Sequence, residues 1–569
     1  MRISIQLSKI TKINLILLLV LVPSISFAVY DIPSNRTTTW IAGSDIWNNG
    51  TLPIYPSVTC SGLQTGTVDQ TSKINACIAN ALDQTAVYIP AGNYQVNGVI
   101  KLKSRVVLRG AGASATTLNL GAGGSVSTSG GSISPALSYQ AHVTGYGISG
   151  APVKGATSLT ITNSGDASVN DWIAIYSDNG PDVTAVGTNG TCNWCGENST
   201  YHLQQQIVQI VAKSGTSITI SKPLYFTLGS NPEFKKYNFG VQKAGIEDLK
   251  LNTTADIGAG SIIYLNNALY CWVKGVETCG TGGNSNSFHV QLNYSYGCEI
   301  RDSYFHDGRS SASGANYGIA VIQVNSDHKI ESNVLRHNRH SIVFQGGGSG
   351  CAVLYNYIDD DYTDDPTFLG NARFNHGAHP FMNLFEGNII TAIAADNYWG
   401  SSSHFTVFRN WIWGDQTGTD VPNYPKKNGF AAINLKENQQ YYNFVGNVLG
   451  SSGKLAVWSN ATLRGADEYA SPSQPIVYSY YGNSGDTSIN HGNYDYKTLG
   501  VAYWEGGSDH VLRTSLYYSS KPSFLANYPW PLLGPDVPGF VNENPAKDRY
   551  EGQSSAGGSI AAPKGLRIQ

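Results

Sequence analysis

IESNVL (330–335), LYNYI (354–358), FEGNII (385–390), FRNWI (408–412) and FVGNVL (444–449) are copies of one pattern: a short strand-like segment, an Asn, then an apolar or aromatic pair. The Asn positions are Asn333, Asn356, Asn388, Asn410 and Asn447, and weaker copies upstream put Ser303, Gly275 and Asp248 in the same slot. Successive Asn lie 22 to 37 residues apart, which suits a coil of short strands joined by loops of unequal length. A short residue at a sharp turn takes a left-handed backbone conformation readily. Asn side chains stacked coil over coil can satisfy one another's amide groups. The pattern predicts an all-β chain, a right-handed parallel β-helix with an internal Asn ladder, and such a solenoid presents long grooved faces suited to polymers.

Bulk composition agrees. Only 13% of the 569 residues are charged, while Gly (63) and Tyr (34) are abundant, a balance that argues for β structure with many turns. The net charge of −3 supplies no basic surface to recommend nucleic acid as a partner. Residues 1–28 read as a signal peptide: Arg2, Lys9 and Lys12, then the apolar run 13–22, then Ser26-Phe27-Ala28 as a cleavage site. The run is short for a membrane span, so the mature chain is expected to be exported and to start at Val29. Eight Cys in an exported chain favour disulfides. Cys60 and Cys77 are a local pair, Cys271 and Cys298 share a phase on adjacent coils within disulfide reach, and the CNWC of Cys192 and Cys195 is a structural loop disulfide or a redox or zinc half-site.

Residues 71–83 carry a helical stripe of Ile74, Cys77, Ile78, Ala81 and Leu82. An amphipathic helix there would cover the open end of the coil and prevent edge pairing. Alternating strands follow in 86–112, with Pro90-Ala91-Gly92 and Gly110-Ala111-Gly112 as punctuation. The expected organisation is a cap and first coils over 29–154, an inserted small antiparallel β subdomain over 155–240, the laddered coils over 241–460, and a C-terminal capping segment and flexible tail over 461–569.

The VYIPAG…GAG pattern of residues 87–112 resembles the amino-terminal signature of the pectate-lyase superfamily, nearest to the branch related to glycoside hydrolase family 28. With the Asn-marked coils, the resemblance covers roughly residues 60–460. It implies a secreted parallel β-helix acting on carbohydrate. It also implies a layout in which the Asn turn joins the second and third strands of each coil and substrate lies over the first. The first strands then become 318–324, 341–347, 376–381, 397–403 and 429–436, and Gln323, Gln345, His379 and Asn434 form one outward polar row. Preceding loops bring Asp307, Arg309, Arg339, His340, Asp364, Asp365, Arg373, His376, Asp396 and Trp399 to that face.

Such a mixture fits polymer cleavage. A hydrolase needs two carboxyls in different protonation states. A lyase needs a base beside a uronate carboxylate and a cation for the charge that develops. Asp396, His379, His376, Asp365 and Arg339 are the expected catalytic residues, with Gln323, Gln345, Arg373, Trp399, Asn434 and His340 binding substrate. Asp359-Asp360-Asp361 with Asp364-Asp365 is a Ca²⁺ loop or a solvated one. The Gly-His-Gly and Arg-x-Lys set of polygalacturonases and the Arg-x-Pro-x-x-Arg of pectate lyases are missing, so neither reaction transfers residue by residue. Two readings stand: a polysaccharide-cleaving hydrolase or lyase in which Asp396 and His379 approach across a groove, and a non-catalytic polysaccharide-binding or surface-structural β-helix.

Overall fold

The computed structural model describes residues 29–552 except 129–144, 196–201, 255–259, 281–287, 309–314, 362–371, 415–430, 452–475, 482, 485, 497–498, 502–503 and 505–509. Three long parallel sheets wind around one core, with 10, 12 and 13 strands among the described residues. One coil shows the logic. The chain runs through Tyr317–Ile322 in the ten-stranded sheet, Lys329–Glu331 in the twelve-stranded sheet and Val334–Asn338 in the thirteen-stranded sheet. It then enters His340–Gln345, one rung above its start.

Because strands of successive coils pair in parallel register, like positions stack. Ile300, Ile330, Val353, Phe385, Val407 and Phe444 form one inward column, all in the apolar core. Aromatic rings continue the stacking: Phe374 on Phe405 at 4.6 Å and Phe405 on Tyr442 at 5.5 Å, nearly parallel at 14° and 7°.

The Asn ladder is real and longer than expected. Asn333, Asn356, Asn388, Asn410 and Asn447 are fully buried. Each side-chain amide donates to the carboxamide oxygen of the next, at 2.9–3.1 Å, and Asn493 receives the last link. Each oxygen also accepts the backbone N–H of the Asn below it. Ser303 extends the slot downward, its N–H bonded to Asn333 and its hydroxyl accepting from Val276 N–H. Gly275 and Asp248 do not occupy the slot. Lys250, Glu277, Tyr304 and Val334 share a rung position, so Val276 and Leu249 hold the place before them. Gly275 and Asp248 belong instead to the left-handed series that precedes each ladder residue, with Asp302, Ser332, Tyr355, Gly387, Arg409, Gly446 and Gly492, all at φ between 51° and 71°. The left-handed turn is therefore made one residue before the Asn. Tyr355 and Arg409 accept it against a cost of about 1–2 kcal/mol, held by the ladder above and below.

The capping helix spans Thr71–Asn80 and buries Ile74 and Ile78 against the first coils. Leu82 lies beyond its end and is exposed. The insertion begins earlier than expected and is closed. Tyr146–Ser149, Ser158–Ile161, Ser217–Ile220, Gln205–Ser214, Trp172–Tyr176 and Glu233–Tyr237 make an antiparallel barrel around a second core that also takes in Phe381 and Met382 of the solenoid. Buried Asp327 of the solenoid clamps it, meeting Lys222 Nζ at 3.0 Å and accepting the Tyr225 hydroxyl. The C-terminal segment packs along the coils. Arg409 grips Asp536 with two bonds of 2.7 and 2.8 Å, and Glu386 accepts from the Ser515 hydroxyl and the N–H groups of Leu516 and Tyr517.

Disulfides join Cys60 to Cys77 and Cys192 to Cys195. Cys271 and Cys298 are not joined: both are buried free thiols that donate to backbone carbonyls, of Val241 and of Ala268, along the core column. No helix among the described residues is long and apolar enough to cross a membrane.

Candidate functional site

The ten-stranded sheet is the face to which sequence reasoning assigned substrate, but two of its strands lie elsewhere than expected. They are Ala372–Asn375 and Ile393–Ala395, not 376–381 and 397–403. The displacement puts His376 and Asp396 immediately after these strands, each one residue beyond the paired Asn375 and Ala395. Rung pairing then closes their side chains together, with His376 Nδ1 donating to Asp396 Oδ2 at 2.9 Å.

The turn that carries Asp396 is held from both sides. Asn375 donates to the carbonyls of Asp396 and Gly400 at 2.7 and 2.8 Å, and Gln439 donates to the Asp396 carbonyl at 2.9 Å. The carboxylate also accepts the Tyr398 N–H at 3.0 Å and faces Arg373 Nε at 3.7 Å. Burial opposes its charge, yet His376, Arg373 and the Tyr398 N–H together hold its carboxyl below the usual carboxylate range. Tyr398 stacks on His376 at 5.8 Å, and the His340 ring lies 6.2 Å from the His376 ring. His340 in turn lies 4.9 Å from Tyr317, its rung neighbour. Burial pushes the Tyr317 hydroxyl above its usual pKa against the opposing charges of Arg339 and Arg373. Asp396, His376, Arg373, His340, Arg339 and Tyr317 thus form one group on adjacent rungs. A carboxylate-oriented imidazole, two guanidinium groups and a protonated phenol are equipped to move a proton next to an anion.

His379 is not part of it. The ring is fully buried, bonded through Nδ1 to Ser401 Oγ at 3.0 Å and through Nε2 to Ser403 Oγ at 2.9 Å. Burial lowers its pKa to about 3, so it is a neutral core group. The expected approach of Asp396 to His379 is replaced by that of Asp396 to His376. Gln323 and Gln345 are neighbours at the strand ends, the N–H of Gln323 donating to the Gln345 carbonyl at 3.0 Å. Asn434 stands on the Arg373–Ala394 rung. Trp399 meets Trp194 edge to face at 6.2 Å. Asp365, Asp364 and Arg309 lie outside the described residues. Asp307 belongs to another face, where it pairs with His306 at 2.8 Å.

The Asp run does not fit calcium at its described positions. Asp359 and Asp360 lie in the thirteen-stranded sheet, where Arg336, His337, Tyr357 and Thr391 already engage their oxygens. Glu277, Cys279 and His306 bring one ligand atom each within 4.8 Å of one another. Lys250 already meets Glu277 at 2.6 Å, and the His306 ring lies between Glu277 at 3.2 Å and Asp307 at 2.8 Å. Burial opposes the charge of His306, but those two carboxylates hold its pKa above the ordinary value. Burial also pushes the Cys279 thiol up to about 11. The group is a buried ion network whose proton states oppose metal binding.

Sequence reasoning missed Tyr317, Asn375, Gln439 and Trp194. Asn375 directly precedes the expected strand 376–381, but only the shifted strand gives it a role. Trp194 sits in CNWC, which reads as a loop with no address.

Residues 57–150 match the model of the family described as rhamnogalacturonase A/epimerase, pectate lyase-like. No curated protein matches the chain. Among solved structures it is similar to the tailspike gp61 of Pseudomonas phage phi297, at 12% identity over 78% of this chain and 76% of that one, with a TM-score of 0.45. It is also similar to the A-module of the Azotobacter vinelandii mannuronan C-5 epimerase AlgE6, at 13% over 78% and 99% with a TM-score of 0.36. The polygalacturonase of Erwinia carotovora ssp. carotovora follows at 12% over 78% and 98%, TM-score 0.34. The chain is a right-handed parallel β-helix, and residues 57–150, which include its first coils, carry its match to the pectate lyase-like family.

Proposed function

We propose that the protein is a secreted enzyme that cleaves an acidic, uronate-containing polysaccharide by β-elimination. The observation that carries this reading is the 2.9 Å bond from His376 Nδ1 to a carboxylate that also faces Arg373. An ionised Asp396 can only accept, so the Nδ1 proton stays on the imidazole and Nε2 becomes the basic atom. In the proposed step Nε2 takes the proton from the carbon beside the uronate carboxylate. Arg339 and Arg373 stabilise the charge that builds on that carboxylate. The electron pair forms the ring double bond, the glycosidic carbon–oxygen bond breaks, and the leaving oxygen takes a proton from Tyr317. Hydrolysis by two carboxyls is the less supported route, because Asp396 is the one carboxylate of this group among the described residues.

The test is incubation of the chain with polygalacturonate, alginate, rhamnogalacturonan and hyaluronan, reading unsaturated uronate absorbance and new reducing ends. Unsaturated products that vanish in His376→Ala bear the reading out. Reducing ends without unsaturation make it a hydrolase. Retention on the polymers with no product makes it a binding protein.

A further inference from the structure

We infer that the disulfide-closed loop Cys192–Cys195 of the insertion is one wall of the substrate cleft, and that Trp194, with Trp399, Gln323 and Gln345, forms a subsite for a sugar ring beside the His376–Asp396 pair. The inference rests on the proposed polysaccharide reading and goes beyond it by assigning the insertion a part in binding.

Main-chain bonds tie the insertion to the segment that carries the site. Thr188 and Asn189 donate to the carbonyls of Asn397 and Tyr398 at 2.9 and 3.0 Å, and Ser401 N–H donates to Thr184 at 3.0 Å. Two glycines of the solenoid are shaped to the loop. A Cβ on Gly377 would lie 2.5 Å from the Trp194 ring, and one on Gly346 would lie 3.1 Å from it. The indole therefore fills the space a side chain would take. The Gln323 amide nitrogen donates to the Trp194 carbonyl, and the disulfide closes the loop behind it.

The remaining chemistry points to a ligand. Trp194 and Trp399 are half-buried and perpendicular, at 79°, so the pair offers an indole face and an edge rather than a sealed stack. The carboxamide oxygens Oε1 of Gln323 and of Gln345 are buried, with no hydrogen-bond partner among the described residues. A buried acceptor left unbonded costs about 1–3 kcal/mol. A sugar ring answers both features: its C–H face suits an indole, and its hydroxyls donate to amide oxygens.

The experiment is affinity electrophoresis through gels containing polygalacturonate, alginate or dextran, with turnover on the same polymers. It uses the wild-type chain and the variants Trp194→Ala, Trp194→Phe, Cys192→Ser/Cys195→Ser and His376→Asn, each checked by circular dichroism. The expected result on the polymer that retards wild type is a loss of affinity of roughly threefold to tenfold in Trp194→Ala. KM rises by a similar factor while kcat falls less, Trp194→Phe recovers most of the loss, and the double Cys variant weakens binding in the same direction. His376→Asn loses turnover and keeps its retardation. A folded Trp194→Ala with wild-type retardation and KM overturns the subsite while leaving the catalytic reading intact. If Trp194→Ala proves unfolded, unchanged retardation in the double Cys variant overturns it equally. Retardation that depends on Trp194, without any product, upholds the subsite and removes the catalytic reading. A chain neither retarded by nor active on any of these polymers, nor on rhamnogalacturonan or hyaluronan, overturns both.

Discussion

His376 and Asp396 meet at 2.9 Å because each follows directly on one of two paired residues, Asn375 and Ala395, in neighbouring coils. The pair is a product of rung register. Exchanging Asp396 for Asn removes the charge and the acceptor that hold the Nδ1 proton, and His376→Ala removes the proposed base. Each substitution is expected to lower kcat by about 10²–10⁴-fold with little change in thermal unfolding. Since the Asp396 carboxyl is held below the usual range, its contribution is complete above that range and is lost as pH falls through the lowered value.

The ladder should be costly to break. Asn388→Ala strips partners from the Asn356 side chain and N–H and from the Val353 carbonyl, all fully buried. A loss of about 2–4 kcal/mol is expected, read as a lower urea midpoint. An unchanged midpoint would show that the ladder is register without stability.

Acid lability should come from two neutral histidines. His328 and His379 are fully buried, and burial lowers the pKa of each to about 3. In the unfolded chain they titrate near 6.5. The unfolded state therefore binds more protons below about 6.5, and stability falls with pH from there toward 3, by up to about 1.4 kcal/mol per pH unit for each group. Urea midpoints between pH 6.5 and 4 check this. His379→Gln, in contrast to His376→Ala, should leave the shape of the pH–rate profile intact while flattening this slope.

Glu386 acts in the opposite sense. Burial raises its pKa to about 7, against the bonds from Ser515, Leu516 and Tyr517. The folded state holds its proton through a range in which the unfolded chain, near 4.3, has lost it. Its contribution is thus fully present below the unfolded value and is lost as pH rises through about 7. Hydrogen exchange of residues 515–518, corrected for intrinsic rates, should speed up between pH 6 and pH 8 in wild type and much less in Glu386→Gln.

The architecture was legible because a ladder must repeat a short amide at one place per coil, and Asn333 to Asn447 show it without alignment. Ser303 was legible for the same reason, while Gly275 and Asp248 misled because the left-handed turn, which also favours small or polar residues, sits one position earlier. Strand boundaries on the open face were harder. Ala372–Asn375 and Ile393–Ala395 are short and carry Arg373 and Asn375, so alternation alone does not mark them. That error sent His379 to the face. His379 and His376 are two imidazoles in one NHGAHP stretch, and only burial separates the core group from the one bound to Asp396. Trp194 could not be placed, since its neighbours Gly346 and Gly377 lie far away along the chain.

Val126, before the barrel, pairs directly with Ile263, after it, just as Leu108 pairs with Ile246 and Leu118 with Leu251. The solenoid reads across the barrel as a sentence reads across a parenthesis. A lineage of such chains could therefore exchange or discard the whole excursion without re-solving the winding problem. Recognition and scaffold would then be free to diversify at different speeds.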